Sequence, residues 1–236
     1  MSLPVAILCG GLGTRLYPLT QSQPKALVEI CGEAFIAHQF RLLKTAGIEK
    51  VVLCLGHHGE MLREYVGSGR QFGMSVTYSF DGPVALGTAG ALRNALTLLG
   101  DEFFVIYGDS YLLCDYQAVA RSFHAAGKKA LMTVFRNEGR WDRSNVEMSD
   151  LGSVRVYDKK NPTPQMQHID YGLGVFRAAA FDCVPEGTNF DLAVLYRQLL
   201  REGELSAYEV SDRFYEVGSF EGIEQLTSLL ASKEKQ

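Results

Sequence analysis

Through the first half of the chain, short apolar runs alternate with stretches of helical periodicity. Val5 to Leu8, Val51 to Leu55, Val76 to Phe80 and Phe103 to Tyr107 are rich in branched or aromatic residues and read as strands. Between them, Phe35 to Ala46, His58 to Tyr65 and Ala89 to Leu98 repeat their apolar residues at the spacing of one helix face. Strand and helix in regular alternation predict an α/β fold, with a largely parallel sheet covered by helices on both faces. A helix over Tyr116 to Ala126 and a strand over Ala130 to Phe135 continue the pattern, which then changes. Asn145 to Met148 and Ser153 to Tyr157 flank a Ser-Asp-Leu-Gly turn and predict a hairpin inserted at the edge of the main sheet. A strand over Tyr171 to Phe176, a helix over Phe190 to Arg201, short strands over Ala207 to Val210 and Phe214 to Val217, and a closing helix over Gly222 to Leu230 follow. Lys233 to Gln236 reads as a frayed tail.

With 236 residues and 47% hydrophobic composition, the chain can bury one substantial core, which fits one domain over 1–236 with a small embedded lobe. Twenty-seven acidic against 23 basic side chains give a formal charge of −4, and no basic block is long enough to suggest nucleic acid as a partner. The amino-terminal stretch lacks the features of a signal peptide, and no apolar segment approaches the ~18 residues of a membrane span. A cytoplasmic protein without a membrane partner is expected. The five cysteines are widely spread and form no Cys-x-x-Cys pair, so they read as reduced thiols. His57-His58 has no third ligand at zinc spacing and reads as a solvated strand-to-helix turn.

The candidate chemistry lies at the ends of the expected strands. Cys9 to Lys25, CGGLGTRLYPLTQSQPK, places three glycines, Arg15 and Lys25 in one connection after the first strand. Glycines let backbone N–H groups turn toward an anion while the cations offset its charge, so the stretch suits a phosphate-wrapping loop. It matches neither the dinucleotide fingerprint nor a Walker A loop. The alternative is a glycine-rich surface turn with two solvated cations. Leu86-Gly87-Thr88-Ala89-Gly90 precedes a helix, and Gly108-Asp109-Ser110 follows a strand, where ligands of parallel sheets collect. Thr88 reads as a helix cap or a nucleotide contact. A carboxylate at Asp109 can hold a hard cation, with Asp115 as a rival that reads better as a cap. Ser110 has no histidine beside it in any recognisable motif and is not expected to be a nucleophile.

The chain resembles the sugar-phosphate nucleotidyltransferase family, in particular the mannose and manno-heptose 1-phosphate guanylyltransferases. The opening stretch LCGGLGTRLYPLTQSQPKALVEICGEAFIAHQF carries the first part of that likeness. It implies that Gly10, Gly11 and Gly13, with Leu8 and Thr14 in the same stretch, surround the nucleotide phosphates. By the same likeness Arg15 meets the departing pyrophosphate and Lys25 bridges the phosphates of both substrates. The leucine-glycine-threonine-alanine-glycine stretch, with Gly87 and Thr88, resembles the family's base and ribose loop, and Gly108-Asp109 its metal-binding strand end. The resemblance implies a three-layer, mostly parallel Rossmann-like nucleotidyltransferase sheet with a small inserted hairpin lobe. Its nucleotide-binding half would cover about 1–115 and its sugar-binding half about 116–232.

Further likenesses lie in the second half, each with a departure. Tyr157-Asp158-Lys159-Lys160 resembles a glutamate-lysine-proline segment, making Lys159 the candidate cation for the sugar phosphate while leaving open which lysine points inward. Asp170-Tyr171-Gly172 resembles an asparagine-alanine-glycine segment over the sugar, with Asp170 limited to accepting hydrogen bonds. Glu216 stands where the family places its second metal-binding carboxylate, so Asp109 and Glu216 are the implied ligands of one Mg²⁺. Arg140 to Asn145 holds the only tryptophan. It reads either as a contact to sugar, phosphates or another subunit, or as a polar turn pinned by a buried ring.

The implied activity transfers a nucleoside monophosphate from an NTP, GTP first, to a mannose or manno-heptose 1-phosphate, with Arg15, Lys25 and Asp109 as the catalytic residues. The alternatives are uridylyl, thymidylyl or cytidylyl transfer to another sugar 1-phosphate such as glucose or N-acetylmuramic acid, a metal-dependent glycosyltransferase, and a nucleotide sensor without catalysis. The long left-handed helical extension of some relatives is not expected, while a homo-oligomer built in another way stays compatible with the sequence.

Overall fold

The computed structural model describes residues 2–233. β1 (Val5–Cys9) leads into the glycine loop, and a small hairpin of β2 (Glu29–Ile30) and β3 (Glu33–Ala34) delivers the chain to α1 (Phe35–Thr45). The expected alternation follows in β4 (Lys50–Leu55), α2 (Gly59–Val66), β5 (Ser75–Phe80), α3 (Gly87–Leu99) and β6 (Glu102–Tyr107). The second half contains β7 (Ser110–Leu112), α4 (Tyr116–Ala126), β8 (Ala130–Arg136), β9 (Val146–Met148) and β10 (Val154–Tyr157). It closes with β11 (His168–Arg177), α5 (Leu192–Arg201), β12 (Leu205–Val210), β13 (Phe214–Glu216) and α6 (Phe220–Lys233). Of the tail expected to fray, Lys233 ends α6 and 234–236 lie outside the described residues.

The main sheet has nine strands in the order β10-β9-β11-β6-β1-β4-β5, with β8 paired to β11 and β12 to β8. β5, β4, β1 and β6 run parallel, as the alternation predicted. β11 is antiparallel to β6 and β8, and the β9-β10 hairpin sits at the sheet edge as expected. The inner parallel strands bury both faces. Val5 and Ile7 of β1 face a core completed by Ile36, Phe40 and Leu43 of α1 and by residues of α2 and α4. Ala6 faces the opposite core, which α3 and α5 cover with Leu92, Ala95, Leu195 and Leu199. Val51 and Leu53 of β4 repeat the first side, Val52 and Cys54 the second. This is the period-2 geometry of a strand between two helix layers. A third cluster, with Leu16, Phe35, Tyr111, Val217 and Leu226, ties α6 and the glycine loop to the strand ends.

Helix starts follow local chemistry. Asp115, the rival metal ligand, is the N-cap of α4 and accepts the Ala118 N–H at 2.9 Å. Asp191 caps α5 in the same way, accepting the Ala193 N–H at 2.8 Å. Phe40 is fully buried and meets Phe72 edge-on at 5.1 Å, whereas Leu151 at the tip of the β9-β10 hairpin is 96% exposed. Phe40→Ala should therefore cost ~3–5 kcal/mol and lower the melting temperature by ~2–4 °C per kcal/mol. Leu151→Ala should stay within ~0.5 kcal/mol. Thermal unfolding followed by circular dichroism checks both, and equal effects would refute this division between core and hairpin.

Candidate active site

The chain turns away from β1 in both directions, toward β4 on one side and β6 on the other, so a crevice opens at the carboxyl ends of β1 and β6. Register sets Leu8 beside Tyr107, which brings the glycine loop against Gly108-Asp109. The Gly108 N–H donates to Leu8 O at 2.9 Å. A Cβ at Gly108 would lie 2.6 Å from Cys9 Sγ and 2.8 Å from Leu8 O, so only glycine allows this approach without displacement. The buried amide of Gln39 on α1 fastens the following turn, donating to Tyr107 O at 3.1 Å and Ser110 O at 2.7 Å.

Two cavities meet at this turn. The first, about 260 Å³, lies between Leu8, Gly10 and Gly11 on one side and Gly87 and Thr88 on the other, with Lys25 and Gly108 at its end. Cys9 and Cys54 also border it, but burial pushes both thiols up, Cys54 to about 12, which leaves neither as a ready nucleophile. The second, about 430 Å³, is bordered by Arg15, Lys159, Asp170, Gly172 and Glu216. Tyr107 and Asp109 border both. Of the residues singled out from sequence, Gly13 and Thr14 border neither cavity. Gly13 is left-handed, with φ 67°, and its Cβ would meet Lys25 Cγ at 2.9 Å; it shapes the loop around the lysine stem.

Asp109 and Glu216 are brought together by a strand pair that periodicity does not reveal. β7 and β13 pair antiparallel, setting Glu216 opposite Ser110, and the Val217 N–H donates to Asp109 O at 2.8 Å. Lys25 Nζ forms an ion pair with Asp109 Oδ2. Glu216 accepts from the Gly218 N–H and the Ser219 hydroxyl. A Cβ added at Gly218 would lie 2.5 Å from Glu216 Oε2, 2.9 Å from Arg15 Nη2 and 3.2 Å from Asp109 Oδ2, so these groups face one small space. Among the described residues, no group of three or more His, Cys, Asp or Glu side chains could hold a metal. Two carboxylates are the donor set from which Mg²⁺ completes its shell with substrate phosphate and water, so these residues fit a phosphate-bound divalent cation.

The wall of the second cavity resolves the lysine ambiguity. Lys159 Nζ lies 3.1 Å from Asp170 Oδ2 and 5.2 Å from the Tyr107 ring centre and borders the cavity, which Lys160 does not. Desolvation works against the Lys159 ammonium, but the Asp170 carboxylate and the Tyr107 oxygen together outweigh it and hold the pKa above the ordinary lysine value. Desolvation pushes the Tyr107 phenol up to about 12. The Asp170 side chain is 3% exposed and also accepts from Tyr157 OH at 2.9 Å and the Gly172 N–H at 3.1 Å. Three of its roughly four acceptor positions thus serve the protein. Its evident task is to fix Lys159, which leaves little capacity for the sugar hydroxyl expected from sequence. Asp158 turns outward, its carboxyl held below the ordinary value by the backbone N–H groups of Lys160 and Asn161.

Two expectations need correction. Thr88 does not cap its own helix; its hydroxyl accepts the Leu192 N–H at 2.7 Å and lies 3.3 Å from Asp191 Oδ1, tying α3 to α5. The Trp141 ring is not a buried pin, because the residue is 45% exposed and borders the second cavity. Asp81 was missed. It follows β5, borders the first cavity and accepts the Leu86 N–H at 3.1 Å, and burial raises its pKa. The strand-end rule that selected Asp109 also pointed to it.

The family described as nucleotidyl transferase matches residues 5–184. The mannose-1-phosphate guanylyltransferase catalytic subunit beta of Xenopus tropicalis is 30% identical over 219 residues, covering 90% of this chain and 60% of that relative. The chain therefore spans less than two thirds of that relative's length. The N-acetylmuramate alpha-1-phosphate uridylyltransferase of Neisseria meningitidis serogroup B is 27% identical over 214 residues, covering 90% of this chain and 92% of the relative. In fold, the crystal structure of HddC from Yersinia pseudotuberculosis complexed with GMP-PN matches with a TM-score of 0.80 at 21% identity, covering 97% of this chain and all of that one. The family match takes in the glycine loop, the β1-β6 crevice and the Lys159-Asp170 wall, and the chain belongs to the nucleotidyl transferase family.

Proposed function

We propose that this protein transfers a nucleoside monophosphate, GMP in the first place, from an NTP to a sugar 1-phosphate of mannose or manno-heptose type, releasing pyrophosphate. The observation that carries this reading is the meeting of two cavities at Asp109, with Lys25 paired to its carboxylate and Arg15 and Lys159 on the second cavity's wall. The first cavity receives base and ribose, and the second the acceptor. A sugar phosphate has a second pKa of about 6 and is already ionised at neutral pH, so its oxygen can attack the α-phosphorus without a dedicated base. Lys159 orients that phosphate, Lys25 stands beside the transferring group, and Arg15 compensates the leaving pyrophosphate. Asp109 and Glu216 would hold Mg²⁺, which supplies charge neutralisation at the phosphates.

Asp81 favours guanine. Its carboxylate borders an otherwise largely apolar cavity, and guanine presents two donors on its Watson–Crick edge where uracil presents one. The similarity to the guanylyltransferase subunit points the same way. The uridylyl reading on N-acetylmuramic acid 1-phosphate keeps support from the Neisseria relative, which this chain covers over 92% of its length. A glycosyltransferase of the aspartate-x-aspartate type is disfavoured because Tyr111, not a carboxylate, stands two residues after Asp109 and is 6% exposed. Among the described residues no helix is long and apolar enough to cross a membrane. We place the activity in the cytoplasm because nucleoside triphosphates are supplied there.

The test is pyrophosphate release from a panel of nucleoside triphosphates crossed with sugar 1-phosphates in Mg²⁺. GTP with mannose or manno-heptose 1-phosphate should lead, and chelation should abolish release; silence across the panel would refute the reaction. Lys25→Ala should lower kcat by ~10²-fold or more and exceed the effect of Arg15→Ala, because a transition-state contact is lost. Unchanged turnover in the Lys25 variant would remove that role. Asp81→Asn should lower kcat/KM for GTP by at least about tenfold and for UTP by much less. A uniform loss across nucleotides would count against base reading at this carboxylate.

A further inference from the structure

The loop between β8 and β9 is built around one buried amide. Asn137 is fully buried; its Nδ2 donates to Asp142 O at 2.5 Å and Ser144 Oγ at 3.2 Å, while its Oδ1 accepts the Trp141 N–H at 3.2 Å. Glu138 adopts φ 51°, a conformation costly for a residue with a side chain, so the loop is held in shape against local preference. The loop presents an indole that the protein leaves 45% exposed.

That indole is nevertheless fixed. The Arg213 guanidinium lies 3.5 Å from the Trp141 ring centre and 4.3 Å from that of Tyr215, stacked between them. Arg213 itself is anchored, donating through Nη2 to Gln225 Oε1 at 2.6 Å and through Nε to Phe214 O at 3.2 Å. Trp141 borders the large second cavity and also a small one beside it, whereas Arg213 borders the small one and an open groove along α6 but not the second cavity. The cation therefore backs the ring from outside and leaves indole surface to the large cavity. A pyranose has one face of C–H groups and an edge of hydroxyls. The cavity offers Trp141 and Phe214 to such a face, and the Asp142 carboxylate and the Asn145 amide to such an edge.

We infer that Trp141, backed by Arg213, is the wall that selects the acceptor sugar. This rests on reading the second cavity as the acceptor site. The wall acts on the sugar ring rather than on the nucleotide, so its loss should separate the two substrates. Trp141→Ala should raise KM for the sugar 1-phosphate about tenfold while KM for the nucleotide stays within about twofold. Trp141→Phe should restore most of the loss, and Arg213→Met should shift the same parameter by less. The ratio of kcat/KM between glucose 1-phosphate and N-acetylglucosamine 1-phosphate should also move at least about fivefold in Trp141→Ala, which a loss of folded protein alone would not do.

Because Trp141 is the only tryptophan in the chain, its emission is a second and independent readout. Excited at the red edge, where guanine absorbs little, the wild-type protein should show a saturable emission change with the preferred member of a panel of mannose, glucose and N-acetylglucosamine 1-phosphates. Equal rises in both KM values in Trp141→Ala, or emission unmoved by every sugar 1-phosphate in the panel, would overturn the inference. Absence of pyrophosphate release by the wild type would instead refute the proposed reaction, and the emission titration would still decide whether the indole meets a sugar phosphate.

Discussion

Lys25 and Asp109 form an ion pair where the two cavities meet, each side chain about four-fifths removed from water, with exposures of 19% and 21%. Their pairing joins the end of the glycine loop to the end of β6, and much of the site geometry follows from it. Gln39 fixes the backbone of the Asp109 turn, and Gly13 clears the path of the lysine stem. The same turn starts β7, whose pairing with β13 places Glu216. Removing one partner would leave the other without its counterion at the edge of the cavity, so the pair links the order of the loop end to the position of Asp109.

The Lys159-Asp170 pair repeats the device at the wall of the second cavity, with the carboxylate more deeply buried than the ammonium. In both cases a cation is already oriented by protein oxygens before an anion arrives. Preorganised charge of this kind needs little rearrangement as negative charge shifts during phosphoryl transfer, which is why it contributes more than the same side chains would in water. The thiols nearest the first cavity are held protonated by burial, which agrees with the proposed reaction, in which the attacking oxygen belongs to the substrate.

The parallel half of the fold was legible because strands buried on both faces are continuous apolar runs, and the helices between them carry clear periodicity. The glycine loop, Asp109 and Lys159 were legible because they stand at strand ends or in recognisable stretches. β7 was not, since three residues cannot show a period, and its existence depends on β13, which lies about a hundred positions later in the chain. The cap reading of Thr88 failed for a related reason: a threonine at a helix start has the chemistry of a cap, but the groups that claim its hydroxyl lie at the start of α5. Trp141 was ambiguous because composition favours burying an indole, and only the stacked Arg213 explains why this one stays at a surface.

The two cavities owe their separate walls to different halves of the chain. Ends of β1, β5 and α3 enclose the first, whereas β11, β13 and the loop from β8 to β9 supply most of the second. Only Tyr107 and Asp109 border both. Changes in a wall can therefore alter recognition of one substrate with little effect on the other, while changes at the shared turn disturb the alignment of both. Gly218 lies at the junction itself, where an added methyl group would push the Glu216 carboxylate and the Arg15 guanidinium from their places. In the proposed reaction, variation in substrate choice is left to walls that can change without touching this junction.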